Sequence, residues 1–173
     1  MVEDAVGRFG SLDVLVNGLP PFGAERPAET SGGPEWDDAA LALAATFYCC
    51  QAAGRHMLAI GSGVIVNLSL TLGLHPSVGC AAESVVSSAT IALTRALGIE
   101  WAPRGVRVVG VTAGPLDTIP DIFGDVVLRT PLQRRGAADE LGEAVVFLAS
   151  DDAAFVTAEN LRVDGGWSAF QMF

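Results

Sequence analysis

Short, strongly apolar runs alternate along this chain with longer stretches of helical periodicity, and few folds satisfy that alternation. Residues 12–17, 64–69, 106–112 and 161–164 read as strands, most of them too apolar to leave a face in water. Strands buried on both faces and separated by helices predict an α/β layer fold with a parallel sheet. A helix is expected over 36–58, where Ala, Leu, Phe and Cys form a broad buried stripe, and another over 80–101, ended by Pro103 and Gly105. Residues 113–135 read as irregular, 137–149 as a helix, and 1–9 as the end of a helix feeding the first strand. No repeat, low-complexity tract or linker divides residues 1–173, so one domain is expected.

Charge narrows the function. Twenty acids face ten arginines for a formal charge of -10, a field that repels nucleic acid and anionic lipid. The first five residues carry two acids and no basic apolar leader, and the apolar stretch 39–60 is interrupted by Gln51, Arg55 and His56. A cytoplasmic protein without nucleic-acid or membrane partners is the expectation. Cys49, Cys50 and Cys80 lack metal-ligand spacing and read as buried free thiols, with no metal site expected.

Several ordered landmarks then appear: Phe9-Gly10-Ser11-Leu12-Asp13-Val14-Leu15-Val16-Asn17, Gly63-Val64-Ile65-Val66-Asn67-Leu68-Ser69, Ala92-Leu93-Thr94-Arg95, Gly105-Val106-Arg107-Val108, Phe147-Leu148-Ala149-Ser150-Asp151 and Val163-Asp164-Gly165-Gly166. In that order they resemble the short-chain dehydrogenases/reductases over nearly the whole chain. The resemblance implies a Rossmann-like parallel sheet flanked by helices, here lacking the first βαβαβ half of the family's fold. It also implies NAD(P) binding and hydride transfer, with a Ser, a Tyr and a Lys one helical turn beyond the Tyr handling the proton.

The chain departs from that pattern. It contains no lysine, and its single tyrosine, Tyr48, lies in another helix. Counting back from Ala92 puts Glu83 at the tyrosine position, Ser87 at the lysine position and Leu70 at the serine position, with Ser69 just before it. The helix from Trp36 puts Ala42 or Leu43 where the family has a supporting Asn. No glycine-rich turn follows a strand, since Gly61-Ser62-Gly63 precedes one. The family's Asn-Asn-Ala-Gly reads Asn17-Gly18-Leu19-Pro20, and its Pro-Gly reads Ala113-Gly114. A truncated, catalytically degenerate member with no cofactor and no hydride transfer is therefore expected.

Removing half a sheet turns the strand at 12–17 into an edge, with Val14, Leu15 and Val16 and no lysine or proline to block pairing. Its own N-terminal helix and proline-rich loop, a second copy, or a subunit supplying strands would cover it. Relatives commonly associate through their two long helices, which implies a homodimer, or a hetero-oligomer with a full-length relative.

Candidate proton-handling groups follow from the same positions. Glu83 stands at the family's proton donor, where a carboxyl in an apolar pocket serves as acid or base; at a helix start it is equally a solvated, dipole-paired residue. His75, in the loop after the second strand, is a shuttle or a surface residue. Ser69, Ser84, Ser87 and Ser88 offer hydroxyls without a nucleophile elbow, and helical serines usually cap or back-bond. His56 reads as structural, Tyr48 as interface core or a hydroxyl aimed into a cavity, Asp117 and Thr118 as turn residues or, by the resemblance, part of the segment lying over the substrate, and Ile122 and Phe123 as packing or pocket lining. With Glu83, His75, Ser69 and Ser87 as its site, the expected function is cofactor-free isomerisation, elimination, dehydration or cyclisation of a small apolar carbonyl compound. The alternative is a non-catalytic scaffold or regulatory subunit.

Overall fold

The computed structural model describes residues 1–18, 26–118 and 126–170. One parallel sheet runs in the order β1 (Val14–Asn17), β2 (Gly63–Leu70), β3 (Val106–Ala113), β4 (Asn160–Val163). The helices are α1 (Val2–Phe9), α2 (Gly33–Ile60), α3 (Ala81–Trp101), the short α4 (Val126–Arg129) and α5 (Ala138–Ala149). Every strand and every long helix expected from sequence is present, with ends shifted by up to three residues at α2. The sheet order equals the chain order, because each connection is a helical crossover that returns beside the strand it left. Within the irregular stretch after β3 the structure adds α4; Ile122 and Phe123 lie outside the described residues.

Local chemistry sets the helix ends. Pro34 occupies the first turn of α2, where its missing N–H costs nothing, and the Glu35 carboxylate accepts the Gly32 N–H at 2.5 Å. At α5 the Glu140 carboxylate accepts the Ala137 N–H at 2.8 Å in the same way. α3 stops at Trp101 and the chain passes through Pro103 to Gly105, at φ 82°.

Side chains alternate across the sheet. On one face Ile65, Val106 and Val108 pack with Cys50, Ala53 and Met57 of α2 and Leu97 and Trp101 of α3. On the other, Val66, Val109 and Val111 pack with Leu148 of α5 and Ala153. The register fixes a polar row on the α2/α3 side: Asn17 pairs with Asn67, Asn67 with Gly110, and Gly110 with Asn160. Gly110 is required there, because a Cβ on it would lie 1.9 Å from Asn160 Oδ1.

Candidate functional site

Ligands of open α/β sheets bind beyond the carboxyl ends of the strands, and the polar residues of this chain gather there. Asn17, the last residue of β1, donates through Nδ2 to Asn67 Oδ1 at 2.9 Å and to Cys50 Sγ at 3.2 Å. Asn67 Nδ2 donates to Thr94 Oγ1 at 3.0 Å, and that hydroxyl donates to the Thr90 carbonyl at 2.9 Å. One continuous buried chain thus ties β1 and β2 to α2 and α3. Burial pushes the Cys50 thiol up to about 11, against the opposing hydrogen bond it donates to Asn67 Oδ1, so this sulfur is a structural thiol.

Further along β2, Ser69 shares a 3.0 Å hydrogen bond with Thr112 of β3, and Ser87 of α3 accepts the Leu70 N–H at 3.4 Å. Ser69 is 1% exposed and Ser87 fully buried. The Ser69 hydroxyl ties β2 to β3 and the Ser87 hydroxyl ties α3 to the end of β2, and neither opens to solvent. Ser84 back-bonds to the Cys80 carbonyl at 2.6 Å, and Ser88 donates to the Gly73 carbonyl at 2.9 Å. Gly73 admits this approach because a Cβ there would stand 2.7 Å from the Ser87 and Ser88 backbone.

Glu83 lies half-buried in the first turn of α3, one turn before Ser87. His75 is half-buried in the loop after β2 and meets Trp167 edge to face, ring centroids 6.3 Å apart. Two surface clefts, of about 540 and 710 Å³, are bordered by neither Glu83 nor His75. His56 Nε2 accepts the Leu12 N–H at 3.3 Å, a structural tie between α2 and the approach to β1. Tyr48 is 64% exposed against Phe47, on the outer face of α2. Asp117 and Thr118 sit exposed in the turn after β3. The Trp167 contact and the Asn17–Asn67–Thr94 chain were missed from sequence, because both are made between elements far apart along it.

The family resemblance implies a nicotinamide dinucleotide, whose pyrophosphate needs free backbone N–H groups at a helix N-terminus. The described residues do not supply them. At α2 and α5 a side-chain carboxylate already takes the capping N–H, from Glu35 and Glu140, and α3 carries Glu83 in its first turn. At α2 and α5 the place of a phosphate is taken by a carboxylate already paired with an arginine, Arg26 for Glu35 and Arg134 for Glu140. No pyrophosphate cradle is therefore formed by the described residues, and among them no group of three His, Cys, Asp or Glu could hold a metal. No described helix is long and apolar enough to cross a membrane.

Comparison with known proteins gives the class. The family model described as enoyl-(acyl carrier protein) reductase matches residues 1–168. The chain is 35% identical to cis-4-hydroxycyclohexanecarboxylate dehydrogenase of Sinomonas cyclohexanicum, covering 98% of this chain and 71% of the relative. It is 34% identical to the 3-oxoacyl-[acyl-carrier-protein] reductase FabG of Staphylococcus aureus, over 96% of this chain and 70% of that protein. A gluconate 5-dehydrogenase from Burkholderia cenocepacia J2315, solved with NADP and tartrate, superposes with a TM-score of 0.89 at 30% identity, covering 97% of this chain and 69% of the other. This chain thus spans about 70% of the length of such relatives.

These matches overturn the expected cofactor-independent acid–base enzyme, and with it the scaffold alternative: the relatives are dehydrogenases and reductases, and no observation shows that hydride transfer has been lost. The expectation failed on two physical grounds. A carboxyl group at Glu83 can carry a proton as a phenol does, and a dinucleotide turn missing from these residues says nothing about the part of the relatives with no counterpart here. Matched along its length in sequence and in backbone, this chain belongs to the short-chain dehydrogenase/reductase superfamily.

Proposed function

We propose that this protein is an oxidoreductase interconverting a hydroxyl and a carbonyl group on a small molecule, with a nicotinamide dinucleotide as redox partner. The observation that carries the reading is the family match over residues 1–168, joined to relatives named for this chemistry. This chain's own contribution is the proton side. Glu83 accepts the hydroxyl proton in the oxidative direction and returns it in the reductive one, and His75 passes it to solvent. Ser87, buried and accepting the Leu70 N–H, is a positioning residue that holds α3, and so Glu83, at the end of β2, while Ser69, bonded to Thr112, holds the ends of β2 and β3 together.

The test is nicotinamide absorbance with NAD or NADP at high concentration, since the described residues hold no pyrophosphate, against a panel of secondary alcohols and ketones. Turnover is expected, and Glu83→Gln should lower it about a hundredfold with the circular dichroism unchanged. Absence of turnover together with no nicotinamide binding by calorimetry would refute the reading.

The same proposal includes a homodimer through the outer faces of α2 and α3. Leu41 and Tyr48, two turns apart on α2, are 68% and 64% exposed, and Val85 and Ile99 of α3 are 48% and 71% exposed. Light scattering at micromolar concentration should give twice the chain mass, and a monomer would exclude it.

A further inference from the structure

Two aromatic side chains meet across the ligand end of the sheet. His75 follows the 3₁₀ turn Thr71–Gly73 after β2, and Trp167 opens the turn Trp167–Ala169 after β4. Their rings stand 6.3 Å apart at 77°. Because β3 lies between β2 and β4, this contact spans the place where the chain leaves β3.

Both turns are held from several directions. The His75 and Leu74 N–H groups each donate to the Thr71 carbonyl at 2.9 Å, and Ser88 clamps Gly73 to α3. On the other side, the Asp164 carboxylate accepts the Gly166 N–H at 2.9 Å, the Ser168 N–H at 3.0 Å and the Ser168 hydroxyl at 2.5 Å. The Leu132 N–H adds a bond to the Gly165 carbonyl at 3.2 Å. Yet each ring remains half-buried. A ring needed only to fill the interior would be covered further; rigid loops that leave part of an aromatic ring open are how scaffolds present binding groups.

We propose that His75 and Trp167 form one wall of the substrate site and select ring-bearing substrates, aryl or cyclic ketones and alcohols, over small acyclic ones. The proposal deepens the oxidoreductase reading above and rests on it. Edge-to-face and offset contacts let a fixed aromatic pair recognise another ring, while an acyclic ketone gains little from them.

Ligand-observed NMR titrations with acetophenone and with acetone test it. Acetophenone should bind the unmodified protein more tightly than acetone does. Its affinity should fall about fivefold in Trp167→Ala and in His75→Ala, as expected for loss of one aromatic contact. Trp36→Ala, on the outer face of α2, should leave it unchanged. Acetone affinity should not respond to Trp167→Ala or Trp36→Ala. Should Trp167→Ala fail to fold, Trp167→Leu keeps apolar bulk without a ring and carries the same expectation. Equal affinity for the two ketones, or acetophenone binding insensitive to both substitutions, overturns the proposal. Nicotinamide turnover measured on the unmodified and Trp167→Ala proteins keeps the two readings apart: ring-dependent binding without turnover sinks the oxidoreductase, and turnover without ring dependence sinks only the wall.

Discussion

The two faces of the sheet solve the same burial problem differently. On the α2/α3 face two long helices, of 28 and 21 residues, cover the strands, and the layer is dry enough to hold an Asn–Asn–Thr chain with every bond made inside the protein. On the other face the 12-residue α5 lies over β2, β3 and β4 and makes no comparable contact with β1. There Val14 and Val16, the neighbours of Val64 and Val66, remain 40% and 45% exposed. Among the described residues no strand pairs with the outer edge of β1. Parallel sheets are stable when both faces are covered, so stability should be concentrated on one side of this sheet and thin out toward one edge.

The sharpest way to break that contrast is to make equivalent cuts in neighbouring strands. Ile65→Ala removes a fully buried side chain from the α2/α3 core and should cost about 3 kcal/mol in urea unfolding. Val16→Ala, on the half-open face of the edge strand, should cost less than about 1 kcal/mol. Similar losses at both positions would mean that the β1 face is covered in solution.

Much of this asymmetry was legible in the chain. Short apolar runs such as 64–69 and 106–112, set between longer helical patterns, read as buried strands, and Pro103 and Gly105 mark a helix boundary by backbone rules that tertiary context rarely overrides. Among the described residues β1 is an outermost strand of the sheet. The site was less legible, because its meaning lies in pairings between distant residues. Nothing in a one-dimensional pattern reveals that Ser69 faces Thr112, or that Ser87 accepts from Leu70, so hydroxyls that read as reactive turn out to be sealed. Reading Glu83 and Ser87, in place of the family's Tyr and Lys, as loss of a reaction went further than residue identity allows.

A subtler contrast runs along the polar row itself. Asn67 is satisfied at both ends, by Asn17 and by Thr94, whereas the side-chain oxygen and nitrogen of Asn160 are buried without a partner. Near-isosteric replacement should therefore move stability in opposite directions. Asn67→Leu leaves the Asn17 amide only the Cys50 sulfur and takes the donor from Thr94, and should cost about 2 kcal/mol, while Asn160→Leu removes two unsatisfied atoms and should add about 1 kcal/mol. Loss of stability in both would show that Asn160 finds a partner in solution. The measurement is again the urea midpoint at constant slope.

The smallest effect expected lies on the α5 side, where charge rather than packing secures a helix start. The Arg134 guanidinium grips the Glu140 carboxylate at 2.6 and 2.7 Å, with the Ala137 N–H adding a third bond, and together they hold that carboxyl at about 2 rather than the ordinary 4.5. A value depressed on folding stabilises the protein above pH 4.5, and that contribution is lost as pH falls toward 2. The pair is open to water, so solvent screening keeps the effect small. Thermal melts of Glu140→Gln should run slightly below the unmodified protein at neutral pH and converge with it across that acid window. A gap that persists undiminished in acid would place the stabilisation in geometry alone, since a glutamine still accepts a hydrogen bond from the Ala137 N–H but carries no charge for Arg134 to hold.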